Sequence, residues 1–381
     1  MQRHYIQDQQ SLTELCHSLA SSPILAIDTE FVRTRTLYPR LGLLQVCDGK
    51  HLALIDPITV DDLSPFWQLL TDPNIVKVLH ACSEDLEVFL SAGNCRPVNL
   101  IDSQIMMTFL GHGLSLGYAA MVKHYLDIEL DKSESRTDWT KRPLTDKQLT
   151  YAEADVDYLF QIYPKLLADV EASGWLNACE QETALMIDKK FSPIDEDNLY
   201  RNVKLAWKLT PKQLNNLKFL ARWRYQKAQT KDQPLSFIAK DHTLLAVAQR
   251  APKSTAAMAV IEGVEHLDVR YQGKAMLAIL KQAAQVDEQD YPEKLRRLDE
   301  YPGYKQTFKK VKHFVADVAA EHQLSVESLA SKKQINQFLS YFFKLNGAQN
   351  NPQDVEVILS WRKSVLGDKL LSFASGGFKA P

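Results

Sequence analysis

Five short runs of apolar and β-branched residues, ILAIDTEFV (24–32), LGLLQVCD (41–48), HLALIDP (51–57), VKVLHA (76–81) and VNLID (98–102), all fall in the first third of a 381-residue chain. No such run recurs after about residue 205. Runs of this length and composition, bounded by turn residues, read as strands. A sheet is therefore confined to the N-terminal part, and the remainder has to be helical. Short connections join the first three runs, as in a hairpin meander. The helical stretches 63–71 and 83–92 link runs far enough apart to lie parallel. A mixed sheet is expected.

The chain is long enough for two or three domains of about 100–200 residues each. With 45% hydrophobic and 24% charged residues it has ordinary globular composition and ample apolar material for cores. A helix is expected at 115–126. Another begins at Thr145, which forms an S/T-x-x-Q capping box with Gln148 ahead of QLTYAEADVDYLFQIYPKLL. A further helix near 175–190 precedes FSPIDEDNLY, a polar, acidic, Pro-containing stretch. These signals give an α/β domain over 1–190, a linker over 191–208, and two helical modules over 209–288 and 292–375. The modules look duplicated: Ile238, Ala239 and Leu244 in LSFIAKDHTLLAVA align with Leu329, Ala330 and Ile335 in VESLASKKQINQFL.

Charge divides at the same place. Residues 1–200 carry 16 Lys/Arg against 30 Asp/Glu, and residues 201–381 carry 29 against 17. An acidic half suits cations and a basic half suits phosphates, although uneven solvation gives the same statistics. In the basic half, Lys218, Arg222, Arg224 and Lys227 share a predicted helix with Trp223 and Tyr225, a spacing suited to following an RNA backbone, although a solvated helix with Trp223 in the module's core has the same pattern and is the reading preferred for Trp223. The five cysteines are odd in number and form no C-x-x-C pair, which fits reduced thiols in a cytoplasmic protein. No apolar leader and no run of about 18 apolar residues is present, so neither secretion nor a membrane span is expected.

Asp28 and Glu30 end the first apolar run two residues apart, so the strand period places them on one face. Two like charges at the margin of a core resist desolvation, and a divalent cation relieves the conflict. Asp85 follows VKVLHA and a candidate N-cap, Ser83, and so opens a helix at the C-terminal edge of a strand, where α/β folds place ligands. An acid in a first helical turn also needs no function, since the helix dipole favours it; Glu84 and the candidate N-cap Asp102 are of that kind. Tyr151 and Asp155 stand four apart on the capped helix and share a face, while Asp157 is rotated towards solvent.

The order D-x-E, then D, then Y-x-x-x-D resembles the DEDD exonuclease superfamily, in its tyrosine-bearing branch. LAIDTEFVRTRTLYPRLGLLQV, KVLHACSEDLEVF and DWTKRPLTDKQLTYAEADVDYL are similar to the three motif blocks of the ribonuclease D family. LKFLARWRYQKAQTKDQPLSFIAKDHTLLAVAQRAP is similar to an HRDC domain, and residues 292–375 to a second, diverged copy. The resemblance implies an α/β exonuclease domain with a ribonuclease H-like mixed sheet, followed by two all-α HRDC domains. It implies Asp28, Glu30, Asp85 and Asp155 as ligands of two Mg²⁺ or Mn²⁺ ions, and Tyr151 as the residue that orients the attacking water.

The implied activity is release of nucleoside 5′-monophosphates from RNA with a free 3′ end, with tRNA precursors and other small structured RNAs as substrates. A DNA exonuclease or a silent nucleic-acid-binding adaptor are the rivals, and nothing indicates an obligate protein partner. His80, Trp139 and Arg142 are candidate contacts to the terminal nucleotide, Trp139 by stacking and Arg142 as a phosphate clamp. Equally, Trp139 can be core and His80 a satisfied histidine at a strand end.

Overall fold

The computed structural model describes residues 1–131, 133–345 and 351–379. The N-terminal part comprises β1 (Gln2–Ile6), α1 (Gln9–Leu19), β2 (Ile24–Val32), β3 (Arg40–Cys47), β4 (His51–Ile55), α2 (Ser64–Thr71) and β5 (Val76–Leu79). It continues with α3 (Asp85–Gly93), β6 (Leu100–Asp102), α4 (Ser103–Phe109), α5 (Tyr118–Leu126), α6 (Asp146–Ser173) and α7 (Leu176–Phe191). The strands form one mixed sheet in the order β1-β4-β3-β2-β5-β6. β2, β3 and β4 are an antiparallel meander, while β5 lies parallel to β2, β6 to β5 and β1 to β4.

β1, α1 and α4 go beyond the sequence expectation. QRHYI is too polar to read as a strand, but an edge strand needs a single partner, and β4 supplies it. α4 follows β6 without a loop because Asp102 both ends the strand and caps the helix, its carboxylate accepting from the Gln104 amide at 2.8 Å. The same carboxylate accepts from the amides of Ala81 and Cys82, each at 2.9 Å. That contact replaces the expected Ser83 cap: the N-cap position of α3 falls to Glu84, whose side chain makes no capping bond, and Asp102 braces the turn leading into it.

The pleat sorts β2 cleanly. Leu25 and Ile27 pack with Leu44, Val46, Phe66 and Phe89 on one face of the sheet. Ala26 packs on the other, with Leu43, Cys47, Leu54 and the α6 residues Ala152, Val156 and Leu159. Asp28 and Glu30 continue the Ala26 series, so both point to the α6 side. α6 starts from the expected capping box of Thr145 and Gln148 and ends at Gly174 in the left-handed region, φ 77°. The segment before α6 lies close on β3: a Cβ at Gly42 would sit 2.7 Å from the Trp139 Cβ, so only glycine allows the approach.

Downstream, α8 (Pro211–Lys231), α9 (Leu235–Ile238), α10 (Asp241–Arg250), α11 (Thr255–Ala259) and α12 (His266–Ala283) surround a core containing Leu217, Leu244, Val247 and Met276. Part of the expected linker belongs to that core. Tyr200, Val203 and Ala206 are 2–3% exposed, because apolar side chains spaced along this segment fold back on α8.

The second module comprises α13 (Tyr304–Glu321), α14 (Val326–Leu329), α15 (Lys332–Phe342), α16 (Ser360–Arg362) and α17 (Asp368–Ser375); residues 346–350 of the 292–375 range lie outside the described residues. The duplication is visible in three dimensions. Each copy runs long helix, four-residue helix, one extended alanine (Ala239 or Ala330), then a second helix, with the six aligned residues buried in both.

Candidate active site

Ligand atoms of Asp28, Glu30 and Asp155 lie within 4.8 Å of one another. β2 supplies the first two, and α6, crossing the same face, supplies the third. Asp85 stands outside this triad yet raises the proton affinity of Asp28 and Glu30 through space. It is buried, at 6% exposure, and accepts a hydrogen bond from the Thr29 hydroxyl. Thr29 was not among the candidates; its position between two acids on the strand is the signal that marks it.

Burial drives these carboxyl groups away from the ordinary carboxylate range, and repulsion from the other acids of the cluster adds to it at Asp28 and Glu30. Asp28 is held well above it, by burial and then by Asp155, Asp85 and Glu30. Burial takes Glu30 to about 9, Asp155 to about 8 and Asp85 to about 6. No cationic side chain among the described residues offsets the charge on Glu30 or Asp155. An all-oxygen, uncompensated cluster of this kind fits hard divalent cations.

A pH-dependent stability follows. Folding raises these pKa values above the roughly 4 of an unfolded chain, so the native state binds protons that the unfolded state has released. For this cluster, metal-free stability is greatest below about pH 4 and declines until pH passes the Glu30 value of about 9. A divalent cation removes the penalty. Added Mg²⁺ is expected to raise the melting temperature more at pH 9 than at pH 6, as scanning calorimetry would read; equal shifts would contradict the assignment.

Tyr151 lies one helical turn before Asp155. Burial, then Asp155, Glu30 and Asp28, push its phenol pKa up, so it stays protonated and keeps its hydroxyl proton to donate. Its ring centroid is 6.1 Å from that of Trp139. Behind the site, the Tyr118 hydroxyl lies 2.9 Å from the Ala154 carbonyl oxygen and 2.6 Å from that of Asp155, fixing α6 where Asp155 emerges. Tyr118 too was missed, since nothing in the local pattern of α5 distinguishes it.

The three candidate nucleotide contacts are committed elsewhere. Trp139 is 1% exposed and has no face left for a base. Arg142 is not a phosphate clamp: its guanidinium grips buried Asp56 bidentately at 2.5 and 2.6 Å and also donates to the carbonyls of Gly42, Trp139 and Lys141. His80 uses both ring nitrogens, on Ser103 Oγ and the Leu116 carbonyl, each at 2.9 Å. Its ring meets Tyr118 edge-on at 5.6 Å, so it supports the site from behind. Sequence spacing placed all three near the acids, and local hydrogen bonding turned them away.

The helix expected to follow RNA is also occupied. Lys218 and Arg222 pair with Asp197, Arg224 is buried and pairs with Asp241, and Lys227 donates to Gln272 Oε1 at 2.6 Å. Trp223 packs against the module core.

Comparison with known proteins follows this geometry. A family model for 3′–5′ exonucleases matches residues 3–171, one for the HRDC domain matches 213–280, and one for the ribonuclease D C-terminal HRDC domain matches 302–370. Ribonuclease D of Cronobacter turicensis is 43% identical, the alignment covering 96% of this chain and 98% of the relative. Ribonuclease D of Escherichia coli K12 is 42% identical over 97% and 98%. The crystal structure of E. coli RNase D, described as an exoribonuclease involved in structured RNA processing, superposes with a TM-score of 0.94 over 99% of both chains. The catalytic core of RRP6 from Trypanosoma brucei, 23% identical, shares the fold at a TM-score of 0.56 over 74% of this chain and 79% of that one. No helix among the described residues is long and apolar enough to cross a membrane.

Proposed function

The chain belongs to the ribonuclease D family and is a 3′–5′ exoribonuclease; from that premise we propose that Asp28, Glu30, Asp85 and Asp155 hold two divalent cations, Mg²⁺ or Mn²⁺, at the site of hydrolysis. The convergence of three carboxylates within 4.8 Å, with no cation to balance them, carries this reading. When bound, the ions supply an activated water and charge stabilisation at the leaving oxygen.

The chain's own groups do the rest. Asp28 and Glu30 are fixed by strand pairing, Asp155 by the Tyr118 bond to its helix, and Asp85 by Thr29. Tyr151, kept protonated by burial and then by its acidic surroundings, donates a hydrogen bond that orients the attacking water. Tyr151→Phe is expected to slow turnover by about 10–100-fold, the range of a lost orienting hydrogen bond, while RNA affinity changes less than about twofold. Unchanged turnover in a single-turnover assay would remove this role.

The substrates we assign are tRNA precursors with short 3′ extensions and other small structured RNAs. The 42% identity and full-length likeness to an exoribonuclease of structured RNA processing support the choice. Five buried, unpaired cysteines suit a reducing cytoplasmic setting. Product analysis on a precursor tRNA with a short 3′ trailer, with and without Mg²⁺, tests the reading. Metal-dependent release of 5′-mononucleotides is the expected result, and endonucleolytic fragments or preference for a matched DNA end would overturn it.

A further inference from the structure

Between the sheet and α6 one side chain is out of character. The residues of β3 and β4 that the pleat turns towards α6 are Leu43, Gln45, Cys47, Leu52 and Leu54, and Gln45 alone among them is polar. It is 0% exposed, and neither its amide nitrogen nor its amide oxygen has a protein partner. A buried carboxamide of this kind is desolvated without return, and folded proteins rarely keep one. Packing alone gives no reason for a glutamine at a position where leucine fits the pattern.

Its place in the sheet supplies one. β2 and β3 keep an unbroken antiparallel register from the Ala26–Cys47 pair to the Glu30–Leu43 pair, and in that register Gln45 lies directly opposite Asp28. Both side chains are on the α6 face, where Asp155 joins Asp28 and Glu30. Directly opposed residues have Cβ atoms about 4.5–5.5 Å apart, so a rotamer change of the glutamine is enough to carry its Nε2 to an Asp28 oxygen. The two needs are complementary. Gln45 has two N–H donors with no acceptor to receive them, and no side chain among the described residues donates to Asp28. Asp85, by contrast, has the Thr29 hydroxyl for that purpose.

We propose that Gln45 is a positioning residue for Asp28: its carboxamide donates across the β2–β3 pair and holds the aspartate in the orientation that binds a divalent cation. This inference rests on the two-cation reading of the site. A ligand carboxylate that is itself hydrogen-bonded keeps its oxygens aimed at the metal, and loss of such a donor typically costs about 10–100-fold in metal affinity or activity. A neutral donor suits the position better than lysine or arginine, whose charge would oppose the metal.

The test compares the full-length parent with Gln45→Met, which keeps an unbranched side chain of similar length and removes its donors. Mn²⁺ affinity by titration calorimetry, melting temperature in chelator, and the Mg²⁺ dependence of mononucleotide release from a short single-stranded RNA are measured on both. Gln45→Met is expected to bind Mn²⁺ about tenfold or more weakly and to need about tenfold or more Mg²⁺ for half-maximal turnover, with KM for RNA changed by less than about twofold. Its melting temperature in chelator should equal or exceed that of the parent, because two unpaired buried groups are gone. Gln45→Leu should behave alike and covers a methionine variant that misfolds. Cys47→Ala perturbs the same face of β3 opposite Ala26 rather than an acid, and should keep parental Mn²⁺ affinity. Parental affinity in either folded Gln45 variant, a melting temperature in chelator below the parent's, or an equal loss of affinity in Cys47→Ala would overturn the proposal. Failure of the parent itself to bind Mn²⁺ or to release mononucleotides would instead overturn the catalytic reading.

Discussion

Asp28→Asn is expected to abolish catalysis by a factor of about 10³ or more, and to raise the melting temperature of the metal-free protein. Both effects have one origin. Asp28 is the acid acted on by all three others, Asp155, Asp85 and Glu30, so it occupies the electrostatic centre of the cluster. Replacing it with an amide of equal size keeps the packing and removes a buried like charge, which relieves the apo fold. On the proposed two-ion reading the same change also removes the ligand best placed to serve both ions; a loss of 10³ corresponds to about 4 kcal/mol of transition-state stabilisation. Single-turnover mononucleotide release and calorimetry in chelator read the two arms. Retention of more than a tenth of parental activity, or a lower apo melting temperature, would show that Asp28 is not the hub.

The convergence of the candidate acids was legible because they sit on the most strongly patterned elements. β2 is a continuous apolar run that ends in two acids spaced two apart, and α6 announces itself by a capping box, so Asp28, Glu30, Tyr151 and Asp155 could be placed on faces from the sequence alone. The groups that hold those residues were not legible. Thr29, Tyr118 and the Asp56–Arg142 pair act across long sequence separations, and a local pattern carries no record of which distant carbonyl or carboxylate a polar side chain meets. The same blindness misassigned charge. Lys218 and Arg222 read as free cations in α8 because Asp197, their partner, lies in a segment that looked like a linker. Element types survived this limitation, since β2 and α6 depend on local periodicity; the roles of polar residues did not.

Trp361→Ala is expected to destabilise the protein by about 3–5 kcal/mol, and to do so in the exonuclease domain as well as in the module that carries the residue. The second module does not hang from the first: its residues share one core with the α6 face of the sheet, whereas the first module has a core of its own. Trp361 is the wedge. It is 7% exposed, with its ring 5.0 Å from Phe109 and 5.8 Å from Trp175, and its indole nitrogen donates to Glu182 at 2.8 Å. The neighbouring Arg362 pairs with the same Glu182 and donates to the carbonyls of Ser328 and Leu329 at 2.9 and 2.7 Å. Truncating the tryptophan opens a void between modules and leaves Glu182 with one donor fewer, two costs that cannot be relaxed independently. The first module touches the catalytic domain more lightly, through Asp232, which accepts from the amides of Leu37 and Tyr38 at 3.0 and 3.1 Å. In the parent, the sheet and the second module should therefore melt as one cooperative unit, and Trp361→Ala should shift that transition bodily. A variant whose catalytic domain melts at the parental temperature while only helical signal is lost would show that the shared core is not cooperative.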